Sequence, residues 1–275
     1  MDLQQALKYP FANDPQWLKK TAVTAVPVGI ATIGSFATNF GNNTMRADDE
    51  QQLLGAVILL LGLTMQFVAG LFVSGYMLKA VRHVLHDAPL PEWDDMGRLV
   101  KDGFRVYALT LGYYAPVAVI MMIALGAFIA VMLSGSIALS QNSSDDLLAL
   151  FAVGGVAAYV VGGLLFILLV AAVNLFAVPA YLTLVREDSS VGECFQFGRI
   201  WKIVSSNFTS ILLFGLCYLA VGVISMLLTL FSCGLGIFVV KPFMIYVYAV
   251  LYAQLARIIM PAAVDEVRSA YEFYE

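Results

Sequence analysis

Between residues 21 and 257 the chain alternates long apolar runs with short segments that hold nearly all of its charge. A hydrocarbon core of about 30 Å takes roughly 20 helical residues to cross. The runs therefore predict transmembrane helices near 21–40, 53–78, 106–133, 155–185, 210–231 and 235–257. The fourth run is ambiguous, because residues 147 to 185 are apolar over 39 positions and have room for two short spans.

Charge resolves the ambiguity. With six spans and an inner amino terminus, the inner segments carry Lys8, Lys19, Lys20, Lys79, Arg82, Arg98, Lys101, Arg105, Arg186, Arg199, Lys202, Arg257 and Arg268, leaving only Arg46 and Lys241 for the outer side. The acidic stretches "RADDE" and "NSSDD" become outer loops, as the positive-inside rule expects. Splitting the fourth run would move Arg186, Arg199 and Lys202 outside, so one long helix is expected there. The expected fold is an all-α integral membrane protein of six transmembrane helices. It forms a single membrane domain over 1–275, has both termini cytoplasmic and ends in a short tail at 261–275.

Composition agrees with the pattern. Apolar residues make up 61% of the chain and charged residues 12%, about half the charged share of a soluble domain, which excludes a soluble fold. The net charge of -4 carries no basic stripe for nucleic acid. The first twenty residues are polar and lead to no cleavage site, so the first span is expected to insert uncleaved. Cys194, Cys217 and Cys233 are odd in number and lack metal-site spacing, which predicts packing roles.

The charged segment "PLPEWDDMGRLVKDG" (89–103) has its own periodicity. Trp93, Met96, Gly97, Val100 and Phe104 share one helical face, and Asp94, Asp95, Arg98, Lys101, Asp102 and Arg105 share the other. This predicts an amphipathic helix at the inner interface, with Pro91 in its first turn and Trp93 as its anchor.

A second copy follows: "EWDDMGRLVK" (92–101) and "ECFQFGRIWK" (193–202) share Glu, Gly, Arg and Lys at an offset of 101 residues. Ser190 and Glu193 are spaced as a capping box before it. The even-numbered spans end alike, in "YMLKAVR" (76–82), "YLTLVR" (181–186) and "YAQLAR" (252–257). Three repeats are expected, 1–82, 89–186 and 190–260, each a helical hairpin preceded by an inner interfacial amphipathic helix. Trp17, Trp93, Trp201, Tyr76, Arg82, Tyr181, Arg186, Tyr252 and Arg257 are the expected interfacial anchors.

"YPFANDPQWLKK" before the first span, "GY" followed by basic residues at the end of the second, and "LPEWDD" together resemble the domain of unknown function 4013 family of prokaryotic membrane proteins. The resemblance implies this fold and a location in the plasma (inner) membrane of a prokaryote. It implies no activity or binding residues for Trp17, Pro91 or Trp93.

Candidate chemistry is sparse. His83 and His86 with Asp87 have a metal-compatible spacing but no further ligands, so a solvated helix end is expected. Glu92, Asp94, Asp95 and Asp102 are better explained by helix capping and pairing with Arg98 than by a cation. No metal, cofactor or catalytic constellation is expected. Polar residues within spans are costly unless paired or facing a cavity. Gln66, Asn174 and Lys241 stand in the second, fourth and sixth spans, about 10–16 Å along the helix from the tyrosines. They make a speculative intramembrane polar cluster. The leading expectation is a non-enzymatic membrane-organising or accessory subunit, in contact with the lipid bilayer and with a membrane-protein partner or a second copy. The alternative is a small-solute permease or channel using the polar cluster.

Overall fold

The computed structural model describes residues 1–45, 51–141, 145–186, 189–232, 236–261 and 264. Every regular element in them is helical: α1 (Leu3–Asn13), α2 (Trp17–Met45), α3 (Gln52–Leu85), α4 (Met96–Gln141), α5 (Asp145–Thr183), a 3-10 turn (Val191–Phe195), α6 (Phe197–Ser206), α7 (Phe208–Phe231) and α8 (Ile237–Ile259). Six of these are long and apolar enough to cross a membrane, namely Trp17–Met45, Gln52–Leu85, Met96–Gly126, Val160–Thr183, Phe208–Phe231 and Ile237–Ile259. The protein is a multi-pass membrane protein. The expected "RADDE" loop, most of "NSSDD", Cys233, Arg268 and nearly all of the tail lie outside the described residues.

The long fourth run is one helix, α5, of 39 residues. The third differs from expectation. An interfacial helix followed by a separate span was expected around residue 105, yet α4 runs unbroken for 46 residues. No residue between Met96 and Tyr107 stops a helix; Gly103 serves packing instead, as described below. The start is also later than expected, because Asp95 adopts a left-handed backbone with φ 47. Pro91 and Trp93 therefore lie before the helix, and the Asp95 side chain accepts from the Arg98 N–H at 3.2 Å.

The chain forms two compact units. One consists of Met1–Ala108 with Pro179–Glu275, the other of Leu109–Val178. In the second unit Leu109, Tyr113 and Val117 are buried at helical spacing on α4, as are Ala177 and Val178 on α5. There the Tyr114 hydroxyl donates to Asn174 Oδ1 at 2.8 Å and links α4 to α5.

In the first unit α8 is the most enclosed span: half of its apolar stretch is buried, against 28% for α2 and 17% for α3 and α7. α2 and α3 meet backbone to backbone. A Cβ at Gly41 would stand 2.7 Å from the Gly55 carbonyl oxygen, and one at Gly62 would stand 2.7 Å from that of Gly34. α3 and α4 meet the same way, with Gly75 against the Leu99 carbonyl and Gly103 against that of Leu71. Large apolar side chains such as Leu53, Leu60, Leu216 and Phe231 point outwards, which a bilayer accepts and water does not.

Hydrogen bonds within this unit bring to one end the start of α2, the end of α3, the start of α4, the end of α5 and the end of α8. The ends of α3, α5 and α8 converge there on a small apolar cleft lined by Leu85, Leu182, Val185, Ala256 and Met260.

Candidate functional site

The three sequence motifs that mark this chain meet at that end. Residues 86–95 form an irregular strap between α3 and α4. Irregular backbone at the edge of a membrane needs partners for its polar groups. Pro89 and Pro91 contribute no N–H, so the need falls on the carbonyls, and five in succession receive a side chain. The Tyr9 hydroxyl donates to the Ala88 carbonyl at 3.0 Å. His83 Nδ1 faces the Pro89 carbonyl at 3.1 Å, which assigns the proton to that nitrogen. Lys20 Nζ donates to the Leu90 carbonyl. The Tyr76 hydroxyl donates to Pro91 at 2.8 Å and Lys79 Nζ to Glu92 at 3.0 Å.

Beneath the strap lies a buried polar knot. Trp93 stacks on Tyr76 with ring centroids 4.3 Å apart and planes at 7°. Its indole N–H donates to Thr24 Oγ1 at 2.9 Å. Thr24 gives its own proton to the Lys20 carbonyl at 2.8 Å, so the Tyr246 hydroxyl, also at 2.8 Å, donates to Thr24. All the hydrogen-bonding capacity of the Thr24 hydroxyl is then used. Lys20 is paired with Asp14 at 2.7 Å, and Asp14 accepts from the Gln16 N–H ahead of α2. Lys79 also pairs with Asp94 and holds the Asp94 carboxyl below the usual carboxylate range.

A second cluster ties α3, α4 and α5. Arg82 is 2% exposed. Its Nη1 meets Asp102 Oδ2 at 2.5 Å, its Nε donates to the Val185 carbonyl at 2.9 Å and its Nη2 to that of Leu184 at 3.0 Å. The last two bonds satisfy the carbonyls of the two residues that follow α5. Arg105 meets the other Asp102 oxygen at 3.3 Å and donates to the Ser189 carbonyl. Arg257 repeats the device by donating to the Val84 and Leu85 carbonyls at 2.9 and 3.3 Å where α3 ends, and to Asp87 at 2.9 Å.

These contacts correct several expected anchors. Arg82 and Tyr76 are core residues rather than headgroup contacts, because the strap and the end of α5 require their donors. Trp93 is half-buried against Tyr76 and does not anchor a separate helix. Tyr181 is 7% exposed and packs on Tyr252 at 4.7 Å, and Phe214 meets Tyr252 at 4.8 Å. Both tyrosines belong to an aromatic nest in which the Tyr181 hydroxyl has no hydrogen-bond partner among the described residues. Asp102 pairs with Arg82 and Arg105, not with Arg98 as expected. On the expected apolar face Met96 and Phe104 are exposed, while Leu99 and Asp102 on other faces of α4 are buried. Trp17 is half-buried and packs edge-on against Phe11 at 4.6 Å, and Arg186 beside the apolar cleft is half-buried. Trp201 is 60% exposed.

The polar residues within the spans are occupied locally. Gln66 donates to Thr38 Oγ1 at 2.8 Å. Asn174 accepts from Tyr114 and donates to the Val170 carbonyl at 2.8 Å. Lys241 is exposed in the second turn of α8. His86 is half-buried beyond the end of α3, and Asp87 is exposed.

Asp14, Lys20, Thr24, Lys79, Arg105, Ser189 and Tyr246 complete the two clusters and were not among the expected site residues. Asp14 and Lys20 did carry a signal, since both lie in the "YPFANDPQWLKK" motif. α4 begins at Met96 and α6 at Phe197, and Leu99 and Ile200, three residues into each, are buried. The Ser190–Glu193 capping box is present, and the Ser190 N–H holds the Glu193 carboxyl below its usual range. Cys194 beside it is buried, which pushes its thiol up.

No curated protein and no solved structure matches this chain. A family model described as "Protein of unknown function (DUF4013)" matches residues 58–234, a stretch that contains Gly75, Tyr76 and the strap but not Tyr9 to Lys20. The chain belongs to this family of proteins of unknown function, as a multi-pass membrane member.

Proposed function

We propose that the protein is a non-enzymatic accessory subunit of the membrane, which docks a membrane-protein partner at the end where the strap lies. The observation that carries this reading is the unbroken fastening of the Ala88–Glu92 carbonyls. Irregular loops are ordinarily mobile, and fastening each carbonyl keeps this one in a single conformation. Asp87, Glu92, Asp94, Asp95, Arg98 and Lys101 are then presented as exposed charges on a rigid frame. A preordered surface loses little entropy on association. The side chains of the strap that point inward are already engaged, so the strap is better suited to recognition than to chemistry.

A permease built on Gln66, Asn174 and Lys241 would need these groups to face water. Gln66 and Asn174 are hydrogen-bonded within their own units instead. This favours the bland reading of polar residues as interhelical fasteners of about 1 kcal/mol each. The test is purification in mild detergent of the wild type and of Glu92→Lys, an exposed charge reversal. A stoichiometric partner that is lost from Glu92→Lys at unchanged melting temperature supports docking. Saturable solute flux by the protein alone in proteoliposomes, abolished in Lys241→Met with stability unchanged, would overturn it.

A further inference from the structure

The short helix α6 lies between the 3-10 turn and α7, and only half of its apolar surface is covered by protein. Ile200, Val204, Phe197 and Trp201 fall within an arc of about 100° around the axis. Ile200 and Val204 are buried, at 0% and 4% exposure, whereas Phe197 and Trp201 are 61% and 60% exposed. Arg199 and Lys202 are centred about 180° from the middle of that arc, and both are exposed. Arg199 has Glu193 at 3.9 Å, but Glu193 is held by Ser190 and the arginine side chain remains 41% exposed.

What covers the open half of the arc follows from what comes next. α6 ends at Ser206 and the span α7 starts at Phe208, with Asn207 alone between them. The exposed side of α7 carries Phe208, Leu212, Leu216 and Leu219, the surface a membrane span gives to acyl chains. α6 stands at the start of that span, one residue before α7, where a bilayer passes from acyl chains to headgroups. Aromatic side chains favour this depth, and basic residues on the far face reach the phosphates.

We propose that α6 is an anionic-lipid site, in which Phe197 and Trp201 enter the leaflet beside the start of α7 while Arg199 and Lys202 hold the headgroups of acidic phospholipids. Each basic residue near an anionic surface favours binding by up to about fivefold. Two partly screened residues should therefore enrich acidic lipid around α6 by about two- to fivefold. The site is separate from the strap, and its test does not depend on a docking partner.

The experiment uses the full chain in vesicles of phosphatidylglycerol and phosphatidylcholine at equal mole fraction, with shallow bromine atoms on one lipid or on the other. The Trp201 signal is the difference between the emission of the wild type and that of Trp201→Phe. Bromine on either lipid should quench it, and on phosphatidylglycerol about two- to fivefold more. Arg199→Gln with Lys202→Gln should equalise the two. Equal quenching by both lipids in the wild type would overturn the headgroup assignment, as would a preference that survives the double variant. A signal insensitive to bromine and quenched by aqueous acrylamide would overturn the insertion itself. If the double variant does not fold, the wild-type contrast between the two lipids decides alone.

Discussion

Asp102→Leu offers the sharpest test of how the strap end of the bundle is held together. Asp102 is 4% exposed and stands 2.5 Å from an arginine that is itself 2% exposed. Removing the carboxylate leaves the Arg82 guanidinium enclosed with two carbonyls and no counter-charge. Breaking a buried pair in this way costs about 3–5 kcal/mol, more than the pair contributes as a whole, because the surviving charge stays desolvated. Arg82→Met acts differently, since Asp102 keeps Arg105 at 3.3 Å but the Leu184 and Val185 carbonyls lose their donors. Each bond to a charged donor is worth about 1.5–3 kcal/mol. The double variant Arg82→Met with Asp102→Leu removes both charges and fills the space with apolar atoms, so it should be less damaging than the two single effects added together. Cys194 is fully buried and reports unfolding through a thiol-reactive dye. At about 2–4 °C per kcal/mol, Asp102→Leu should lower the melting temperature by about 6–20 °C. A melting temperature equal to the wild type, or strict additivity in the double variant, would refute the reasoning.

Two further outcomes follow from the geometry. Gly75→Ala should destabilise by about 1–3 kcal/mol or more, since its methyl would press on the Leu99 backbone, which cannot swing aside. Gly162→Ala, with no atom of the described residues within 4 Å of the new Cβ, should be neutral or slightly stabilising, and the same thiol melt compares them. The Lys79–Asp94 tether gives a pH dependence of known sign. The Lys79 ammonium holds the folded-state Asp94 pKa below the ordinary carboxylate value, so the tether's contribution is present above that ordinary value, about pH 4, and is lost as pH falls through the lowered one. Asp94→Asn should remove that acid-side loss while leaving the melt at neutral pH little changed, as expected for an exposed pair. A variant that keeps the full acid dependence places its origin elsewhere.

Hydropathy and charge made the spans legible, including the choice of a single α5, because membrane insertion responds to just those quantities. Burial within the bundle was not legible in the same way. Tyr76 and Arg82 at a helix end read the same in sequence whether they reach lipid headgroups or cap another helix. Only the arrival of residues 184 and 185, more than a hundred positions later, separates the two. Thr24 and Tyr246 are 222 residues apart and have no local pattern at all. The late start of α4 was hidden as well, since the Trp93-to-Phe104 periodicity continues across Asp95 although its backbone departs from the helix there.

The motif residues share one physical cause. A strap rich in proline has few donors of its own and no strand alongside, so its carbonyls are satisfied by side chains. Side chains with long reach and a terminal donor meet that demand, and the clusters are built from them: tyrosine, lysine, histidine and arginine near the ends of α1, α2, α3 and α8. This accounts for the "GY" with basic residues at the end of α3, where glycine lets α4 approach and Tyr76, Lys79, Arg82 and His83 then face the strap and the end of α5. It also accounts for the recurrence of arginine at the end of α8, since Arg257 donates to the last two carbonyls of α3. The same residue types at a helix end can therefore hold backbone or hold lipid, and burial tells them apart. Arg82 is enclosed and gives its donors to carbonyls and Asp102, whereas Arg199 and Lys202 are exposed on α6 beside an exposed aromatic pair.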